Sequence, residues 1–275
     1  MQVMATNQQH PPAEKTALRC VSARTPLGRG VQLSMHASFF ARCAGLHAAL
    51  LPLVALPPGP RRSALARNHI RRGCAAFLGR LADSGCVHVE YEGFEGCADW
   101  GGSLICANHP SLLDALILFS KIPGAVCVVG RTPWKDPLFA LPARMADYIP
   151  SEPAARMVRE CRNRLRGGGA VLVFPEGTRT PRGALGPFHS GYALAAMRAE
   201  APVRTVFIEC DSMALGKGFA FFRAGNLPVR FRISAGEVFA PTAAKSTREF
   251  AARLEGFFRE HLVRTADGIG LRTRQ

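Results

Sequence analysis

Ser103-Leu104-Ile105-Cys106-Ala107-Asn108-His109-Pro110-Ser111-Leu112-Leu113-Asp114 reads as a strand, a turn and the start of a helix, and this reading decides the fold. Ser103–Ala107 is apolar, as a buried strand requires. Proline suits the first position of a helix because its missing N–H would be an orphan there anyway, so Pro110 predicts a helix to Phe119 with His109 as its cap. Roughly sixty residues on, the arrangement returns. Ala170–Phe174 is a second buried-strand candidate, and Pro175 ends it because proline cannot join a central ladder. Gly177 then permits a tight turn carrying Glu176, Thr178 and Arg179.

Working outward, the same alternation covers most of the chain. Strands are expected at Val87–Tyr91, Ala125–Val129, Val203–Ile208 and Val229–Ile233, and helices at Pro137–Met145, Pro153–Arg166, Pro187–Arg198 and Thr247–His261. Strands spaced by helices predict an α/β fold with a mixed, largely parallel central sheet flanked by helices. In such sheets chemistry gathers at the carboxyl ends of the strands, where both motifs lie. Gly167-Gly168-Gly169 lacks the Lys-Ser/Thr of a nucleotide phosphate loop and reads as a helix stop.

With 275 residues, 48% of them hydrophobic, the chain can bury a full core. The net charge of +15 is uneven: residues 1–84 carry eleven Lys/Arg against Glu14 and Asp83, a net +9, leaving +6 for the other 191. A front so basic seeks an anionic surface. Its neighbour is the apolar stretch from Ala37 to Pro58, and no zinc-finger spacing or aromatic-rich basic strand appears, so a membrane is favoured over nucleic acid. The clean apolar run Cys43–Leu56 is fourteen residues, short of the about twenty a spanning helix needs. Residues 1–34 are expected to be disordered, 35–84 to form a basic, membrane-associated helical hairpin, 85–262 to form the α/β domain and 263–275 a flexible tail. The hairpin's second arm has an apolar stripe (Leu65, Ile70, Cys74, Phe77, Leu78, Leu81) and arginines (Arg61, Arg62, Arg67, Arg71, Arg72, Arg80) expected at lipid headgroups. An ordinary amphipathic helix packed on a core would show the same stripe. The nine cysteines are scattered and form no Cys-x-x-Cys pair, which favours a reducing, cytoplasmic location.

A capping His109 can fold back toward Asp114, whose carboxylate would set the imidazole tautomer and stabilise the imidazolium, giving a general base. Structural capping and a solvated first-turn carboxylate are the bland alternatives. On the second turn, the planar guanidinium of Arg179 suits bidentate contact with a phosphate or carboxylate. Glu176 reads either as part of that anion site or as an orienter of the loop. No third residue at metal-ligand spacing accompanies His109 and Asp114, so no metal or cofactor is expected.

Asn108-His109-x-x-x-x-Asp114 followed by Phe174-Pro175-Glu176-Gly177-Thr178-Arg179 resembles the glycerolipid acyltransferases, the lysophosphatidic acid acyltransferase type in particular, over about residues 60–240. The resemblance implies the glycerol-3-phosphate acyltransferase-like fold and transfer of a fatty acyl group from an acyl carrier protein or coenzyme A thioester to a lysophospholipid hydroxyl, most simply 1-acyl-glycerol-3-phosphate, in phospholipid biosynthesis. By the family pattern His109 is the base, Asp114 its support, and Glu176, Gly177, Thr178 and Arg179 bind the acceptor phosphate, with backbone N–H groups near His109 holding the oxyanion. The basic hairpin and the cysteine pattern together predict a peripheral or shallow anchorage on the cytoplasmic face of the inner membrane. Two departures stand out. The family's basic residue after the strand near Asp147-Tyr148-Ile149 is replaced by Pro150 and Ser151, leaving Arg131 and Lys135 as substitutes, and Val203-Arg204-Thr205-Val206 replaces a Val-Pro-Val. They keep open another acceptor, such as a lyso-ornithine lipid or a specialised polyene or glycolipid. A hydrolase and a non-catalytic basic lipid-binding protein are the alternatives outside acyl transfer. Leu112–Phe119 and Phe219–Phe222 are candidates for an acyl groove, or simply core.

Overall fold

The computed structural model describes residues 21–22, 25–180, 185–211 and 226–268. Its centre is a seven-stranded sheet built from β2 (Val87–Glu92), β3 (Leu104–Ala107), β4 (Val126–Val129), β5 (Ile149–Pro150), β6 (Val171–Val173), β7 (Val203–Cys210) and β9 (Val229–Phe239), in the order β2-β9-β7-β3-β6-β4-β5. β7, β3, β6, β4 and β5 run parallel, while β9 is antiparallel to β7 and β2 is parallel to β9. The expected mixed, largely parallel sheet is what the chain forms. Residue type follows position: every residue of the central strands β3 and β6 is buried, whereas β9 alternates buried Val229, Phe231 and Ile233 with exposed Arg230 and Arg232. Pro150 is tolerated because β5 is an edge strand. A two-residue β1 (Val21–Ser22) pairs with β8 (Asn226–Leu227).

Helices cover both faces. α1 (Pro26–Leu50), α2 (Pro60–Asp83), α3 (Asp114–Lys121) and α5 (Pro137–Met145) form one layer, with the short α4 (Arg131–Lys135) leading into α5. α6 (Ala154–Arg166), α7 (Gly191–Ala199) and α8 (Thr247–Gly268) form the other. Right-handed crossovers require this division, since the path from β3 to β4 and β5 crosses the sheet in one direction and the return through β6 to β7 crosses it in the other.

Several expectations shift. α3 begins at Asp114 rather than Pro110, so His109 is not its cap: Ser111 donates its N–H to Asp114 Oδ2 at 2.7 Å and Leu113 donates its N–H to Ser111 Oγ at 3.2 Å, holding residues 109–113 in a non-helical turn. α7 begins at Gly191 rather than Pro187, because the Phe188 and His189 amides are taken by Glu255 and by the Pro175 carbonyl. Disorder up to residue 34 gives way to helix from Pro26, anchored by Met35 and by Phe39, whose ring meets Phe77 edge-on at 5.7 Å. The tail expected from 263 is helical to Gly268. Phe219–Phe222 lies outside the described residues.

The hairpin exists, but its arms differ. The helical stretch Leu33–Ala55, 23 residues with mean hydropathy 1.4, is long and apolar enough to cross a membrane by length and composition, and only 17% of its most apolar window is buried. The fourteen-residue estimate fell short because the helix runs through Arg42 without a break. α2 instead packs on α3 and places Ile70, Phe77, Leu78 and Leu81 in the core, as the amphipathic-core reading has it. Arg67 is corrected from headgroup-facing to buried, its Nη1 donating to the Ala146 carbonyl at 2.9 Å.

Candidate active site

The register of β3 against β6 brings the two motifs together. Cys106 pairs with Val173, so His109 and Glu176 each lie three residues beyond paired positions on adjacent parallel strands, at one edge of the sheet. Asn108 locks the first loop to the other neighbour: its side chain donates to the Ile208 carbonyl and accepts the Ile208 N–H, both at 2.8 Å, continuing the β3–β7 ladder. The loop leaves the sheet on a rigid stem.

His109 Nδ1 lies 2.8 Å from Asp114 Oδ2, with the imidazole partly exposed and the carboxylate fully buried. An ionised Asp114 takes the Nδ1 proton as its hydrogen-bond donor, leaving the Nε2 lone pair to receive another. Burial pushes the Asp114 carboxyl above its ordinary range, against the lowering effects of His109 and the Ser111 amide. Its Oδ1 is buried without a partner among the described residues. Phe174 stacks on the imidazole at 4.1 Å between centroids and 22° between planes, covering one face and holding the ring's orientation.

The second loop grips the first. Glu176, 4% exposed, accepts the His109 N–H at 3.2 Å, the Thr180 hydroxyl at 2.7 Å and the Gly186 N–H at 2.9 Å. Thr180 also donates its N–H to the His109 carbonyl at 2.7 Å. Both backbone polar groups of His109 are thus held by one closed ring of bonds. With three protein donors on its oxygens, Glu176 fits the loop-orienting reading better than the anion-site reading. Gly177 sits at φ +66°, and a Cβ there would come within 3.0 Å of His189 Cδ2, so the turn requires glycine. Thr178 is exposed and Arg179 half-buried on the same turn. Arg131, at the start of α4 beyond β4, is exposed, with Glu152 4.0 Å away.

Three amides near His109 are already engaged: its own with Glu176, that of Ser111 with Asp114, and that of Leu113 with Ser111. The expected backbone oxyanion site there is reduced accordingly. Sequence reading assigned no role to Thr180, Phe174, Ser111 or Asn108. All four adjoin or sit within the quoted motifs, which was the available signal.

A family model described as Acyltransferase matches residues 88–209, a span that contains both loops and their strands. Over this span the chain is similar to that family. Over 152 residues the chain is 32% identical to the Caenorhabditis elegans protein acl-2, assigned by name to the 1-acyl-sn-glycerol-3-phosphate acyltransferases, covering 52% of this chain and 54% of that one. It is 26% identical over 137 residues to human 1-acyl-sn-glycerol-3-phosphate acyltransferase beta (46% and 48% covered), and 26% identical over 134 residues to the Cocos nucifera 1-acyl-sn-glycerol-3-phosphate acyltransferase (46% and 43%). The chain spans about half the length of these curated relatives. The crystal structure of the Thermotoga maritima 1-acyl-sn-glycerophosphate acyltransferase PlsC superposes with a TM-score of 0.64 at 18% identity, over 90% of this chain and 99% of that one, and so shares the fold.

Proposed function

We propose that this protein is an O-acyltransferase that moves a fatty acyl group from an acyl carrier protein or coenzyme A thioester to the hydroxyl of a lysophospholipid, most simply 1-acyl-glycerol-3-phosphate, at a membrane surface. The observation that carries the reading is the His109–Asp114 pair at 2.8 Å, its backbone gripped by the Glu176–Thr180 turn. His109 Nε2 takes the proton of the acceptor hydroxyl, and the freed oxygen attacks the thioester carbonyl directly. Asp114 stabilises the imidazolium, which returns its proton to the leaving thiolate. Arg179, with Gly177 and Thr178 on the same turn, binds the acceptor phosphate. Arg131 is a second cation at that edge.

The exposed apolar side chains of the first arm, Leu33 and Phe40 on α1 and Leu51 and Val54 in the helical turn that follows it, support contact with the bilayer, where the acceptor resides. The cytoplasmic leaflet is the face at which thioester donors and free thiols coexist. A second reading keeps the chemistry and changes the acceptor: Glu152 beside Arg131 puts an acid where a phosphate would otherwise be welcomed, and Ser151 follows β5 in place of a base. Purified protein in mixed micelles, offered labelled acyl donors and a panel of lyso-lipids, tests both. Product formed only with lysophosphatidic acid supports the first reading, product with another lyso-lipid the second. Thioester hydrolysis that no acceptor suppresses would replace both with a hydrolase.

A further inference from the structure

The arginines of α6 are not used by the site described above. Helix α6 carries Arg156, Arg159, Arg162, Arg164 and Arg166 against one acid, Glu160, in thirteen residues. At 3.6 residues per turn, Arg156, Arg159, Arg162 and Arg166 fall within an arc of about 120°. Val158, Cys161 and Leu165 occupy the opposite side and are buried. Glu160 pairs with Arg156 at 2.7 Å, Arg162 bonds the neighbouring Asn163, and Arg166 donates to the Arg198 carbonyl, so the other three arginines meet no acid on the helix. Arg198 on α7 adds to the same patch.

Placement narrows the partner. α6 belongs to the layer formed with α7 and α8, whereas the exposed apolar helix α1 belongs to the layer across the sheet. A bilayer held by α1 is therefore on the far side of the molecule, and whatever meets α6 arrives from water. The four arginines span about 15 Å along the axis at 1.5 Å per residue, more than one phosphate group can neutralise and comparable to the acidic face of a short helix. α6 also starts close after β5, whose carboxyl end shares the sheet edge with His109.

We propose that the exposed arginine face of α6 docks an acidic, soluble acyl carrier protein, which delivers its thioester to the His109 edge while the acceptor enters from the membrane on the other layer. The identity of the carrier rests on the acyl-transfer reading; the docking does not. Opposite charge across such a rim acts mainly on encounter and weakens with salt.

The test compares acyl-loaded carrier protein with the matching acyl coenzyme A, using the wild type and the double variant R159E/R162E. Arg159 is exposed and Arg162 half-buried at the edge of the arc, and glutamate keeps the helix propensity. The expected result is a drop of about tenfold in kcat/KM with the carrier-protein donor, no more than about twofold with the coenzyme A donor, and unchanged binding to anionic phosphatidylglycerol vesicles. The milder R159Q/R162Q should fall in the same order by a smaller factor. Equal losses on both donors, no loss with the carrier protein, or a loss confined to vesicle binding each overturns the proposal. If the wild type transfers from neither donor, the acyl-transfer reading fails instead. Salt-sensitive binding of the unacylated carrier protein, measured directly and weakened by R159E/R162E, then supports or sinks the docking on its own.

Discussion

The loop after β3 and the loop after β6 leave adjacent parallel strands at the same register, yet they do different work. The first holds the groups that can exchange a proton, His109 and Asp114, and leaves the imidazole partly open to solvent. The second contributes a buried carboxylate, Glu176, and a hydroxyl, Thr180, whose bonds end on the backbone of the first. A carboxylate in a short turn motif beside the base invites a catalytic role. Burial and three donors make this one a brace. The general lesson is that an acid's role is read from what already occupies its oxygens.

Breaking the first loop should have the largest effect. His109→Ala should lower kcat by about a hundredfold or more, the usual scale of a lost general base, with the far-ultraviolet circular dichroism unchanged. Asp114→Asn should come close behind, because the amide can hold the imidazole in the wrong tautomer. A kcat within twofold of wild type for either variant would remove the pair from the chemistry. Glu176→Ala strands three donors, two of them backbone amides, and should cost about 1–3 kcal/mol of stability per donor left without water or a substitute. It is expected to show as a lower Tm together with a fall in kcat, and a loss of acceptor affinity alone would return Glu176 to the anion site. Thr180→Val is the finest probe. It removes the hydroxyl bond to Glu176 but leaves the Thr180 N–H on the His109 carbonyl, so kcat should fall by roughly fivefold for about 1 kcal/mol, with KM steady. Thr180→Ser should restore most of it.

A similar contrast holds within the hairpin. Both arms have apolar residues and arginines, and hydropathy alone does not say which arm faces out. α2 turns its stripe inward onto α3 and buries Arg67 beneath it, while Leu33 and Phe40 on α1 and Leu51 and Val54 in the turn just beyond it stay exposed. Packing partners decide the direction, and those partners are distant in the chain.

Much was legible from residue order. Continuous apolar runs bounded by Gly and Pro marked β3, β4 and β6, Pro137 marked the start of α5, and the motif spacing named His109 and Asp114. These are local effects, carried by steric limits on the backbone and by period. What waited for the tertiary structure was every relation across the chain. The start of α3 at Asp114, the grip of Thr180 on His109, the stacking of Phe174 and the separation of α1 from α6 onto opposite faces all depend on which strands became neighbours. That order is a property of the assembled sheet, because a hydrogen bond between residues about seventy apart has no signature in either segment until the sheet has brought them within 3 Å.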